Sequence, residues 1–176
     1  MAEPAVLSDG QTMGRLLLTT AALLAGQAAA WRTFSPRDES FSVSMPAAPS
    51  EKVQSVPVKD GSNLEVRVFA SADKEGTYVV SVTEFPAAEG NPERRLNNAR
   101  EGAVASVQGK LQHERKIKLG GHPGRELWIE AGKSDVIHTR IYAVDKRLYQ
   151  TLAIGPKRFV ETKETTRFLD SFKLGK

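Results

Sequence analysis

The chain has no cysteine, and that absence removes a disulfide framework, a cysteine nucleophile, cysteine-ligated zinc or iron–sulfur sites and an N-terminal lipid-modified cysteine. Histidine is scarce, with three residues, and aromatic side chains make up 7% of the sequence. There is no Gly-x-Ser-x-Gly, no phosphate-cradling glycine loop, no His-Glu-x-x-His and no dinucleotide-binding fingerprint. The local signatures of the common hydrolases, nucleotide-binding enzymes and zinc proteases are therefore missing. No segment is low in complexity and no fixed period repeats.

What is present is the composition of an ordinary globular protein: 176 residues, 40% hydrophobic and 26% charged, with 14 Gly and 9 Pro. One domain is the expectation. A domain of roughly 150 residues hides about 68 to 70% of the surface its unfolded chain exposes, so packing can hold it without covalent staples.

The longest uncharged apolar run, Leu16 to Ala25, follows Arg15 and precedes the small residues Ala28-Ala29-Ala30. It is shorter than the about 20 residues a membrane-crossing helix needs, and Ala28 and Ala30 occupy the A-x-A positions of a processing site. Residues 1–30 thus read as a signal peptide cleaved before Trp31, an uncleaved anchor or a buried helix being the alternatives. Met1 to Thr12 carries Glu3 and Asp9 and no basic side chain, whereas a start at Met13 gives the positive leader that export uses. Cleavage leaves 24 basic and 19 acidic residues, a net charge of +5. Such an excess suits anionic membrane surfaces or acidic proteins but lacks the aromatic-interleaved basic clusters of a nucleic-acid binder. The expected location is periplasmic or extracellular, with no stable membrane anchor after cleavage.

From Trp31 to Phe85, short β-rich runs alternate with turn signals. Strands are expected at Trp31–Phe34, Phe41–Met45, Val53–Val58, Asn63–Ala70 and Thr77–Phe85, with Asp60-Gly61 the clearest hairpin signal. Tyr78-Val79-Val80 is apolar on both faces, which puts the last of these strands in the middle of a sheet. Pro86 to Gly90 reads as a linker. Asn91-Pro92-Glu93 then gives an N-cap, a proline at the first helical position and an early acid. Leu96, Ala99, Ala103, Val107 and Leu111 continue an apolar stripe along that helix, which Gly102 and Gly109 weaken. A second meander is expected over Gln112–Leu119, Gly124–Glu130, Asp135–Ala143 and Arg147–Ile154, followed by a terminal helix over Phe159–Phe172. The fold class is α+β: an antiparallel sheet of two meanders packed with about two helices.

Phe41-Ser42-Val43-Ser44-Met45-Pro46 with Pro49, Gly121-His122-Pro123-Gly124-Arg125-Glu126-Leu127, Arg140-Ile141-Tyr142, Arg147-Leu148-Tyr149-Gln150 and Phe168-Leu169-Asp170-Ser171-Phe172-Lys173-Leu174 together give the chain a resemblance. Residues 31–176 resemble exported bacterial domains of unknown function related to the PsbP-like group, which is named for an extrinsic subunit of photosystem II. The resemblance implies a PsbP-like sandwich and a non-catalytic accessory or binding role. No ion-retention or photosystem-docking residues match, so it implies no photosynthetic role.

Two clusters merit attention. His113, His122 and His138 with Glu114, Glu126 or Glu130 are the residues from which a metal site would have to come, although their spacing lacks the regularity of common sites. If Asp145-Lys146 is a two-residue turn, Tyr142 faces Tyr149, and His138, Arg140, Arg147 and Thr151 share their sheet face, with Ile137, Ile141, Leu148, Leu152 and Ile154 on the other. An exposed face with His138, Arg140, Tyr142, Arg147 and Tyr149 would suit a partner protein; under a covering helix the same face would be core. Trp128 reads as core, Trp31 as a pin for the first strand, and Arg115-Lys116-x-Lys118 as a solvated edge or, alternatively, a contact for an anionic partner. The resulting expectation is an exported, non-catalytic domain without a cofactor, binding a protein or envelope component through a sheet face or the loops around Gly120 to Pro123. The alternative is a small-ligand carrier, or an enzyme whose site is assembled from residues distant in sequence.

Overall fold

Strand alternation and two-residue turns dominate the architecture. A computed structural model describes residues 31–57, 63–85 and 91–175. The expected leader with its Met13 start, the Asp60-Gly61 turn and the Pro86–Gly90 linker lie outside the described residues. Among those described, ten strands and three helices follow the order β1 (Arg32–Phe34), β2 (Phe41–Met45), β3 (Ser50–Pro57), β4 (Asn63–Ala72), β5 (Thr77–Glu84), α1 (Pro92–Ser106), β6 (Lys110–Leu119), β7 (His122–Ala131), β8 (Asp135–Val144), β9 (Arg147–Pro156), α2 (Lys157–Val160), α3 (Lys163–Asp170) and β10 (Lys173–Leu174).

The two meanders join edge to edge into one antiparallel sheet ordered β3-β4-β5-β9-β8-β7-β6, and β1-β2-β10 form a second, three-stranded sheet. As its apolar faces predict, β5 is interior, pairing with β4 and β9. The Gly120-Gly121 turn places both glycines at positive φ, +56° and +86°, the backbone that a two-residue hairpin between Leu119 and His122 requires. Asp145 also takes a positive φ, and Val144 pairs with Arg147 across the turn. Tyr142 therefore faces Tyr149 as the turn chemistry predicts.

Each face of the large sheet is covered. On one, Leu96 of α1 joins Val66, Val68, Val79, Leu127, Ile129, Ile137, Ile141 and Leu152 in one buried cluster. Asn91 caps that helix, its Oδ1 accepting from the Glu93 amide at 2.9 Å. On the other, β2 and the C-terminal segments bring Phe41, Val43, Met45, Phe159, Phe168, Leu169 and Phe172 onto Phe69, Tyr78, Val80, Tyr142 and Tyr149. The terminal helix expected over Phe159–Phe172 is in fact two. Thr162 interrupts it and caps the second, its Oγ1 accepting from the Thr165 amide at 3.1 Å, a local bond that competes with helix continuation. The last strand of the meander, expected over Arg147–Ile154, extends two residues further to Pro156.

Candidate functional site

Side chains two apart on one strand share a face, and directly paired residues touch across strands. On the face that carries the C-terminal segments, register puts His113 opposite Trp128 and Trp128 opposite His138. One step along, Arg115 lies opposite Glu126 and Glu126 opposite Arg140. The result is two parallel ladders over β6, β7 and β8, one aromatic and one ionic. In the first, the His138 ring stacks on Trp128 at 4.2 Å between centroids, and His113 lies tilted at 5.2 Å on the other side.

Glu126 is the hub of the second ladder. Its residue is 1% exposed. Oε1 accepts from Arg140 Nε at 2.8 Å and lies 3.0 Å from His138 Nε2, while Oε2 accepts from Arg115. Arg140 extends the network by donating to Asp170 of α3 at 2.7 Å. Burial alone would raise the carboxyl's pKa, but donation from Arg140, Arg115 and His138 outweighs it and holds the value at about 2. His138 shifts below the ordinary imidazole value because burial disfavours its cation more than Glu126 and the Val160 backbone favour it. At neutral pH the centre is an ionised carboxylate clamped by two guanidiniums and a neutral imidazole. With both oxygens engaged, Glu126 is a joint between β6, β7, β8 and α3 and a poor base or nucleophile.

The third rung explains a glycine. Gly124 pairs with Tyr142, and a Cβ there would lie 2.6 Å from the Ile141 carbonyl oxygen and 2.6 Å from Tyr142 Cδ1. The missing side chain makes room for the tyrosine ring, on which Phe172 stacks at 6.0 Å with the planes 2° apart.

The expected exposed patch is thus corrected. Tyr142 and Tyr149 are 4% and 3% exposed, because Phe172 and Phe41 pack over them. His138 and Arg140 do come together, but as arms of the Glu126 centre. Arg147 sits at the rim, bonded to Glu84 at 3.2 Å and to the Tyr149 hydroxyl at 3.5 Å, and Thr151 is fully buried. Trp128 is half-buried and Trp31 lies edge-on to Tyr78 at 5.4 Å. Of the residues weighed for a metal, His113 and His138 flank Trp128, whereas Glu114 points to the α1 face and pairs with Arg125 and Arg100. Among the described residues no three metal-ligating side chains converge.

The role of Glu126 as organiser is not legible locally: Arg125 and Glu126 are adjacent charges, and only the burial of both faces of β7 requires each to find a partner on its own side.

A cyanobacterial PsbP from Synechocystis sp. PCC 6803, solved in solution, superposes with a TM-score of 0.56, covering 88% of this chain and 98% of that one at 13% identity. The fold is PsbP-like. A Pseudomonas aeruginosa protein of unknown function aligns with a TM-score of 0.43 at 11% identity, covering 77% of this chain and 90% of that one. No family model matches the sequence, and no curated protein does. The phrases behind the resemblance hold the fold together: Phe41 of β2 pairs with Leu174 of β10, and the Gly121–Leu127 stretch enters β7. Among the described residues no helix is long and apolar enough to cross a membrane.

Proposed function

We propose that this chain is an exported, non-catalytic accessory or binding module for a protein or envelope component, and that its contact surface is the free edge of the large sheet at β6. The observation carrying this reading is the contrast between a closed centre and an open, cationic border. Glu126 spends its oxygens on internal partners, Arg115 of β6 among them, whereas β6 ends the sheet with Lys116 and Lys118 exposed. The Leu16–Ala25 run and the Ala28-x-Ala30 site support export, and the PsbP-like fold is compatible with an accessory role while fixing no chemistry.

The test expresses the tagged full-length chain in its source cells, crosslinks them intact, and reads the mature N-terminus and co-purifying proteins by mass spectrometry. The expected result is a chain beginning at Trp31 with a reproducible partner. An uncleaved N-terminus would remove the export part of the reading, and a correctly cleaved chain without a partner would remove the binding part.

A further inference from the structure

An edge strand is an unfinished ladder, with one side's N–H and C=O groups unpaired and available to another strand. Among the described residues no strand pairs with the outer side of β6. Its register is broken between Leu111 and His113 and it ends at the Gly120-Gly121 turn. Between these limits His113 to Leu119 pairs regularly with Trp128 to His122. Seven residues in register are enough for an ordinary strand pairing. Charge is distributed on both sides of this segment: Arg115 lies on the face of the C-terminal segments, Lys116 and Lys118 on the face of α1. Glu114, the one acid between His113 and Leu119, is already paired with Arg125 and Arg100.

Resting on the binding-module reading above, we propose that the partner is a protein whose extended acidic segment adds to β6 over His113 to Leu119 as an eighth strand of the large sheet. The charge pattern specifies the segment. In antiparallel pairing, acids stand opposite Lys118 and Lys116 and an apolar residue stands opposite Ile117, while Arg115 stays on Glu126, so the incoming strand reads acid, apolar, acid. Like charges directly opposite one another are destabilising. A second copy of β6 would bring a segment with the same cationic excess, so the edge disfavours self-pairing and selects an acidic strand. The opposite edge, β3, makes the contrast: one glutamate and one lysine cancel along its length, and it closes on Pro57.

The experiment titrates the purified protein with a capped ten-residue peptide carrying this glutamate and valine pattern, following the β6 amides by NMR and hydrogen exchange. Three comparison probes are a lysine-for-glutamate peptide, a glutamate peptide N-methylated on the alternate amides that face β6, and vesicles of anionic phospholipid. The expected result is salt-sensitive binding of the glutamate peptide with new protection confined to β6. It should weaken at least about tenfold on N-methylation, which removes several backbone bonds, and comparably in Lys116→Glu/Lys118→Glu. Equal binding of the N-methylated peptide would overturn strand addition in favour of charge alone. Vesicle binding without peptide binding would replace the protein partner by a lipid surface, and dimerisation through β6 would replace it by a second copy. Crosslinking in cells separates the two levels of inference. A partner captured equally by wild type and Lys116→Glu/Lys118→Glu overturns the edge proposal and leaves the binding module standing, whereas no partner for either protein removes the module itself. Lys116→Gln/Lys118→Gln, with an unchanged melting temperature, guards against a folding defect.

Discussion

Arg125 and Glu126 are consecutive, both buried, and opposite in charge, and β7 sends them to opposite faces of the sheet. On the α1 face, Arg125 is held by Glu93 from the helix and by Glu114, whose Oε1 lies 2.9 Å from Arg125 Nε. Those carboxylates keep contact with water, Glu93 being 43% exposed. On the other face, Glu126 is sealed beneath its three donors and reaches α3 through Arg140 and Asp170. Each residue fastens a covering layer to the sheet, yet the carboxylates around Arg125 reach solvent while the carboxylate at the centre of the other fastening is 1% exposed and only its outer partners Arg115 and Asp170 reach water. The cost of breaking a buried pair is set by what the surviving charges can do. Glu93 can turn to water, while Arg140 and His138 cannot.

The largest test of this difference compares Glu126→Gln with Arg125→Met. Glu126→Gln preserves volume but takes the anion from the half-sealed Arg140, which keeps only Asp170, and sets an amide NH2 among buried donors, so it is expected to cost about 2 to 4 kcal/mol. Arg125→Met fills the same space with an apolar chain and leaves carboxylates that water or Arg100 can satisfy, so about 1 to 2 kcal/mol is expected. Urea denaturation measures both. Equal losses would mean that solvent access does not distinguish the two fastenings.

Acid should act on the sealed side in two steps. The folded-state pKa of His138 is lowered from the ordinary 6.5, so the unfolded chain takes up that proton first. Stability is full above pH 6.5 and declines as pH falls toward the depressed value. Glu126 is held at about 2 against an ordinary 4.5. Its contribution, on the order of 3 kcal/mol, is complete above pH 4.5 and is lost as pH falls through about 2. Glu93 is also lowered, chiefly by its bond to Arg125, but its exposure makes the α1 side the lesser acid sensor. Denaturation midpoints from pH 8 to 2 should show both steps. Glu126→Gln should abolish the lower one and deepen the upper, because His138 loses the anion that favours its proton. Native-state Trp128 fluorescence in a Trp31→Phe background should change at the lower end of the upper step, where folded His138 takes up its proton, since that ring lies against the indole.

The local order of this molecule was legible. Asp145-Lys146 set the hairpin that pairs Tyr142 with Tyr149, Asn91-Pro92-Glu93 started α1, and Tyr78-Val79-Val80 marked an interior strand. What covers the sheet was not, because it depends on chain ends remote from the strands they touch. Phe41 and Phe172 must meet before Tyr142 and Tyr149 become core, and neither residue's neighbours in sequence announce that meeting. Arg140 and His138 were picked out by face, but their partner Glu126 stood in a Gly-Arg-Glu-Leu phrase that reads as a hairpin. The ionic centre becomes visible only once the α1 face and the C-terminal face are both known to be closed.

Glycine substitutions sharpen the same comparison at smaller cost, and they should have opposite signs on the two sides. At Gly124 a methyl group meets the Ile141 carbonyl at 2.6 Å, a backbone atom that cannot swing away, so Gly124→Ala is expected to destabilise by about 1 to 3 kcal/mol. Gly102 lies in α1 with no neighbouring atom within 4 Å of an added Cβ, and its side faces solvent. Gly102→Ala should therefore stabilise by about 0.5 to 1 kcal/mol through helix propensity alone. Thermal and urea unfolding of the two single variants and the double variant provide the check. Additive effects are expected, since the sites share no contact. A Gly102→Ala variant that loses stability would show that the helix backbone at Gly102 is not free to accept a side chain, and would overturn the contrast between an open site on α1 and a filled one beside Tyr142.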